Sequence, residues 1–347
     1  MASKKTAVVV FQLGGPDSTE AVEPFLFNLF MDPDIIDFPL ASLVRKPLAR
    51  YVARKRSHHV AEHYGEIGGK SPILELTTAQ AEALERALKP KLDAKVFIAM
   101  RYWHPLTEAA ILQVKAGSFD EVILLPLYPQ CSITTSGSSL NEWHRQSKKL
   151  GLQDIPQKLV HQYYDHPLYI EAMVENINKA LGEFRGYDPE SVHLLFSAHG
   201  VPVSIIQRGD PYQRHVEETV RLVLQTGAWR HPHILCYQSK VGPARWLEPS
   251  LTGTISDLAT KGVKNMVVVP VAFVTDHIET LHEINIEERE GAEKLGVEKF
   301  VMMPALNDHP KFIAALVDEV LKLAAGDSRN EAHRCECRAA VLRRGGS

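Results

Sequence analysis

Six short, unbroken apolar runs constrain this chain more than any other feature. They lie at residues 7–13, 96–101, 122–128, 192–198, 234–238 and 266–273, and they do not alternate with polar residues. A strand with one face in water alternates. A run that is apolar at every position fits a strand buried on both faces, as in a parallel sheet covered by helices. Stretches with helical periodicity lie between and after the runs, at 77–88, 167–181 and 311–323. Strands alternating with helices predict an α/β fold with ligand sites at the carboxyl ends of the strands.

The runs fall into two sets of three. VVVFQLGGP near residue 8 resembles LLFSAHGVP near 195, FIAMRYWHP near 98 resembles ILCYQSKVGP near 236, and VILLPLYP near 124 resembles VVVPVAFV near 268. A chain of 347 residues has room for two domains. The expectation is two similar Rossmann-like α/β domains, each a parallel sheet flanked by helices. They span about 5–155 and 156–325, with a cysteine-containing tail at 326–347. The first gap is much longer in the N-terminal set, so that domain carries an insertion at about 25–72. There Leu48 and Val52 stand among Arg45, Lys46, Arg50, Arg54, Lys55 and Arg56. Apolar residues edged by basic ones suit a lip touching an acidic, greasy ligand or a membrane surface. They suit equally an amphipathic helix covering the sheet.

The formal net charge of −3 lacks the basic excess that nucleic-acid binding requires. Four cysteines, Cys131, Cys236, Cys335 and Cys337, are too few for a secreted disulfide scaffold of this length. The N-terminal apolar run is short and ends in glycines, unlike a signal peptide, and no window has the length of a membrane span. A cytoplasmic protein, at most resting on a membrane surface, is expected. The Gly14-Gly15-Pro16 turn lacks GxGxxG spacing, which argues against a dinucleotide-binding oxidoreductase.

Two places gather chemistry. His199 stands at the end of the fourth run, where an imidazole can take a proton or bind a metal. The turn Gly209-Asp210-Pro211-Tyr212 follows it. After the sixth run, Asp276 and Glu279 have capping-box spacing, which predicts a helix start beside His277. Glu279, Glu283 and Glu287 then share one helical face. A buried row of carboxylates favours protonation or a cation, whereas a solvated row does neither. Arg101-Tyr102 follows the second run, and the Ser/Thr-rich stretch 132–139 follows the third. There hydroxyls and N–H groups can bind an anion or simply cap a helix.

Taken in order, these segments closely resemble the ferrochelatases. They are LGGPDS at 13–18, FLFNLFMDPDII at 25–36, IGGKSPI at 67–73, RYWHPLTE at 101–108, and LYPQ with TTSGSSLN across 127–141. SAHGVP with RGDPY across 197–212, YQSKVGPARWLEP at 237–249 and FVTDHIETLHEI at 273–284 complete the set. The resemblance implies a chelatase-like fold with a porphyrin cleft between the domains, and insertion of Fe2+ into protoporphyrin IX as the last step of haem synthesis. It implies that His199 and Glu279 are the catalytic and metal-site pair, one acting as proton acceptor or ligand and the other as its partner. Asp276, His277, Glu283 and Glu287 would form a path for protons or metal. Leu13, Arg56, Tyr64, Arg101, Tyr102 and Ser132 would contact porphyrin.

Catalysis by such a protein requires no cofactor, since Fe2+ is a substrate. Some members hold a [2Fe-2S] cluster on four cysteines, three of them in a C-terminal tail; here a cluster would have to use Cys131, Cys236, Cys335 and Cys337. The expected partners are porphyrin, Fe2+ and, through the lip, a membrane periphery, with no nucleic acid. Family members occur as monomers and homodimers. A coproporphyrin III enzyme and a non-catalytic porphyrin or haem carrier are the alternative readings. The DHIETL and SAHGVP forms resemble the protoporphyrin branch.

Overall fold

The computed structural model describes residues 4–35, 41–240, 242 and 244–326. They form two compact units, one reaching Gln162 and resuming at Ile313, the other spanning Tyr163–Phe312. The first holds strands β1 (Thr6–Gln12), β2 (Ala94–Met100), β3 (Glu121–Pro126) and β4 (Gln157–Leu159). They pair in parallel in the order β2-β1-β3-β4. The second holds β5 (Val192–His199), β6 (His233–Gln238), β7 (Asn265–Pro270) and β8 (Lys299–Met302), parallel in the order β6-β5-β7-β8. The two sheets therefore have the same topology. The three pairs of similar apolar runs occupy equivalent strands.

Burial explains why those runs lack alternation. Every residue of β1, β3 and β7 is buried. Helices cover both faces, so neither needs polar side chains. In the first unit Trp143 anchors one face. Its ring meets Phe11 edge-on at 5.7 Å, and its Nε1–H donates to Gln157 Oε1 at 2.9 Å, so its one polar atom is satisfied. In the second unit Leu195, Cys236, Val268, Ile284 and Phe300 belong to one core cluster. β4 and β8 have only three and four residues and are partly exposed, so neither produced an apolar run.

The helix Pro167–Leu181 begins with proline in its first turn, where the missing N–H costs nothing. Periodicity placed a helix at 311–323, and it spans Pro310–Ala324. The insertion forms the helices Val22–Phe30 and Ala41–Glu66. In the second, Ala49 and Ala53 turn inward, while Val44, Leu48 and Tyr51 are exposed on one stripe. No described helix is long and apolar enough to cross a membrane.

Trp143→Ala should remove the ring that closes one face of the first sheet. Chemical denaturation is expected to show a loss of about 3–5 kcal/mol; a loss below about 1 kcal/mol would contradict this packing.

Candidate metal and proton site

The site in the second unit is built on the carboxyl ends of its strands. His199 is the last residue of β5 and pairs in register with Gln238, the last residue of β6. Its ring Nδ1 lies 2.6 Å from the Gly200 carbonyl oxygen. A carbonyl only accepts, so Nδ1 carries a proton and Nε2 is the nitrogen turned towards Glu279. Nε2 faces Glu279 Oε1 at 3.6 Å. Two contacts fix the backbone there: the Tyr212 hydroxyl donates to the His199 carbonyl at 3.0 Å, and the Gly200 N–H donates to the Gln238 carbonyl at 2.8 Å. A Cβ on Gly200 would lie 2.9 Å from that same carbonyl oxygen, so only glycine permits this approach. The turn before Tyr212 is closed by Asp210, whose Oδ1 accepts the Tyr212 N–H at 3.0 Å.

Glu279 opens a π-helix, Glu279–Glu288, a rare element that is frequent at functional sites. Its carboxylate is 24 % exposed and lies between two imidazoles, with Oε2 3.5 Å from His277 Nε2. Burial alone would raise the Glu279 carboxyl, but His199 and His277 outweigh it and hold it at about 2. Burial acts against protonation of His277. The Glu279 carboxylate and the Thr275 carbonyl, 2.9 Å from Nδ1, more than compensate and raise its pKa. Both nitrogens of His277 thus face acceptors, the arrangement that suits an imidazolium.

The capping box expected at Asp276 and Glu279 does not form. Asp276 accepts instead from the Thr280 hydroxyl at 3.0 Å, the Ala305 N–H at 3.2 Å and Asn307 Nδ2 at 2.8 Å. The helix starts only at Glu279, because Asp276 ties the segment to the loop after β8 rather than to the helix's first N–H groups. Glu283 is gripped by Ser239, whose N–H donates to Oε1 at 2.9 Å and whose hydroxyl donates to Oε2 at 2.6 Å. Burial, and next the Glu279 charge, push the Glu283 carboxyl up. Glu287 is exposed further along the same element. Gln238 and Ser239 were not singled out from the sequence, although a polar pair ending a buried run was a readable signal. Gln238 accepts the Ser197 hydroxyl at 2.7 Å and donates to the Glu279 carbonyl at 3.1 Å, so it joins β5 to the π-helix.

The remaining sequence candidates lie in the first unit. Arg101 Nη2 sits 3.0 Å from Asp32 Oδ2, which also accepts the Tyr102 hydroxyl at 2.5 Å and the Ser138 hydroxyl. Arg101 Nε donates to Ser138 at 2.8 Å. Asp32 and Ser138 organise Arg101 and Tyr102; in the sequence Ser138 stood out only as one hydroxyl of the stretch 132–139, and Asp32 had no role of its own. Tyr64, Tyr102 and Ser132 are buried, and the Ser132 hydroxyl accepts from the Thr134 N–H as a helix cap. Leu13 is half-buried, and Arg56 is exposed beside the Phe30 ring at 6.0 Å.

The described cysteines do not fit a [2Fe-2S] cluster. Cys236 is fully buried in the β6 core, its Sγ–H donates to the Phe196 carbonyl at 3.4 Å, and burial pushes its thiol up to about 12. That is a packed, protonated thiol, not a ligating thiolate. Cys131 is buried in the first unit, and Cys335 and Cys337 lie outside the described residues.

The fold is that of the two-domain chelatases. SirB from Bacillus subtilis with Fe3+ superposes with a TM-score of 0.53 at 14% identity, covering 96% of this chain and 99% of that one. The sirohydrochlorin chelatase SirB in complex with cobalt, from Bacillus subtilis subspecies spizizenii, gives 0.52 at 13% identity, covering 93% and 97%. At these identities the likeness concerns fold alone. Sequence goes further: the ferrochelatase family profile matches residues 5–323. A ferrochelatase of Picosynechococcus sp. is 47% identical over 91% of this chain and 82% of its own length. That of Gloeothece citriformis is 46% identical over the same shares. This chain belongs to the ferrochelatase family.

The ion pair makes stability depend on pH. A carboxyl held at about 2 rather than its ordinary 4.5 stabilises the fold above pH 4.5, and that contribution is lost as pH falls towards 2. An imidazole raised from 6.5 stabilises the fold below pH 6.5, and its contribution is lost as pH rises through its folded value. The melting-temperature gap between the native chain and Glu279→Gln should be widest between pH 4.5 and 6.5 and shrink on either side. A gap constant from pH 3 to 9 would contradict the pairing.

Proposed function

We propose that this chain inserts Fe2+ into protoporphyrin IX, with His199 and Glu279 as the reacting pair. The observation that supports this is the Nε2 of His199 facing a carboxylate, in a ferrochelatase-family chain. A porphyrin carries two pyrrole protons inside a stiff ring. Metal entry requires the ring to bend, those protons to leave and the cation to shed water. A surface that fits the bent ring better than the flat one lowers the barrier.

His199 accepts a pyrrole proton at Nε2, since Nδ1 already donates to Gly200. The Glu279 anion stabilises the imidazolium that forms and draws in the divalent cation, for which carboxylate and imidazole are both suitable ligands. His277 keeps Glu279 ionised and aimed. Glu283, fixed by Ser239, and the exposed Glu287 lead protons outward or metal inward. Asp276 holds the segment's shape through its three donors. The net reaction, Fe2+ plus free-base porphyrin giving haem and two protons, balances without a redox partner.

Anaerobic mixing with Fe2+ and protoporphyrin should quench the metal-free fluorescence. His199→Ala and Glu279→Gln should each slow this by about 10²–10⁴-fold, the usual scale for losing a positioned acid or base. Slow quenching that is unchanged by His199→Ala would indicate a carrier. Much faster turnover of coproporphyrin III would overturn the substrate assignment.

The helix Ala41–Glu66 exposes Val44, Leu48 and Tyr51 next to the exposed Lys46, Arg50, Arg54 and Lys55. This composition favours contact with an anionic bilayer surface from the cytoplasmic side. Flotation with phosphatidylserine vesicles should retain the native chain and lose Leu48→Asp/Tyr51→Asp; equal flotation of both would reject the contact.

A further inference from the structure

The helix Ala41–Glu66 carries a second group of metal-binding side chains, which the reaction described above does not use. Residues 57–66 read SHHVAEHYGE. His59, Glu62 and His63 stand at i, i+3 and i+4, so a helix sets them on one stripe. The His59 and His63 rings approach to 4.2 Å between centroids. Glu62 reaches back to both preceding imidazoles, with Oε1 3.3 Å from His58 Nδ1 and Oε2 3.6 Å from His59 Nδ1. Glu62 thus already meets two of the imidazoles, and the His63 ring lies against that of His59.

His58, His59 and Glu62 face water, and His63 is half-buried. The side chains of His58, His59 and Glu62 are 88%, 73% and 58% exposed. Ion pairs that open to water add little to stability. An imidazole nitrogen that carries no proton offers a lone pair to a cation. Two histidines one helical turn apart can grip one cation with little ordering cost, because the backbone has already fixed their separation. A cation held about 2.0–2.1 Å from each nitrogen needs those nitrogens only a few ångströms apart, which rings 4.2 Å apart can supply by rotating about their side-chain bonds. The carboxylate adds an oxygen and cancels charge. Imidazole donors select first-row transition cations over Mg2+ or Ca2+.

We propose that His59 and His63, with Glu62, chelate a first-row divalent cation of the Fe2+, Co2+, Ni2+ and Zn2+ class on the outer surface of the first unit. The site belongs to a different unit from His199 and Glu279 and does not depend on what that pair does. In a protein that consumes Fe2+, such a site collects the reaction's own cation on the surface.

The test uses the full, untagged chain with His199→Ala/Glu279→Gln, which removes metal binding at the reacting pair. Its Co2+ affinity is measured by calorimetry and by visible d–d absorption. One equivalent is expected to bind. Adding His59→Ala/His63→Ala should weaken that binding at least tenfold and abolish the visible band, while circular dichroism stays unchanged. Adding Glu62→Gln alone should weaken it less. Unchanged stoichiometry and affinity after removal of both histidines, or no bound equivalent in the parent, would overturn the site. Because the reacting pair is already silenced, neither result depends on the proposed catalysis.

Discussion

The second unit is organised around one carboxylate. Glu279 sits between the imidazoles of His199 and His277, and its charge decides the state of each. It favours the cationic form of His277 and stands at the start of the π-helix. It faces His199 Nε2 at 3.6 Å. Partial burial makes these interactions stronger than they would be in water. It also makes them sensitive, because a charge removed from such a cluster leaves the others without compensation.

Everything around this carboxylate serves to place it. β5 and β6 end in register at His199 and Gln238, and Gln238 ties the two strands to the π-helix through Ser197 and the Glu279 carbonyl. Ser239 follows in a left-handed conformation, φ +64°, which costs a non-glycine residue energy. In that conformation both its N–H and its hydroxyl meet Glu283. The strain and the grip occur at the same residue, at the end of a buried strand, where α/β proteins place their chemistry. The first unit repeats the strand order and has its own polar cluster after β2, centred on Asp32.

The fold was legible where physics leaves a composition signal. Strands buried on both faces cannot alternate, and the six apolar runs became β1, β2, β3, β5, β6 and β7. β4 and β8 are short and half-exposed and left no such signal. At the site, His199 and Glu279 drew attention by their places at strand ends. Asp276 was misread because its spacing to Glu279 mimics a cap, whereas its partners lie about thirty residues on, at Ala305 and Asn307. The protonation of His277 was not legible, because it depends on a carboxylate and a carbonyl whose approach only the folded backbone sets. Tyr102 and Ser132, which the resemblance offered as porphyrin contacts, also bond within the protein.

Histidine-selective 15N NMR of the labelled chain tests the central arrangement most directly, since it reads the proton on each ring nitrogen. The account predicts a His199 ring that carries a proton on Nδ1, and a His277 ring that stays doubly protonated to a higher pH in the native chain than in Glu279→Gln. A His199 ring carrying its proton on Nε2, or a His277 ring whose state does not respond to loss of the carboxylate, would contradict it.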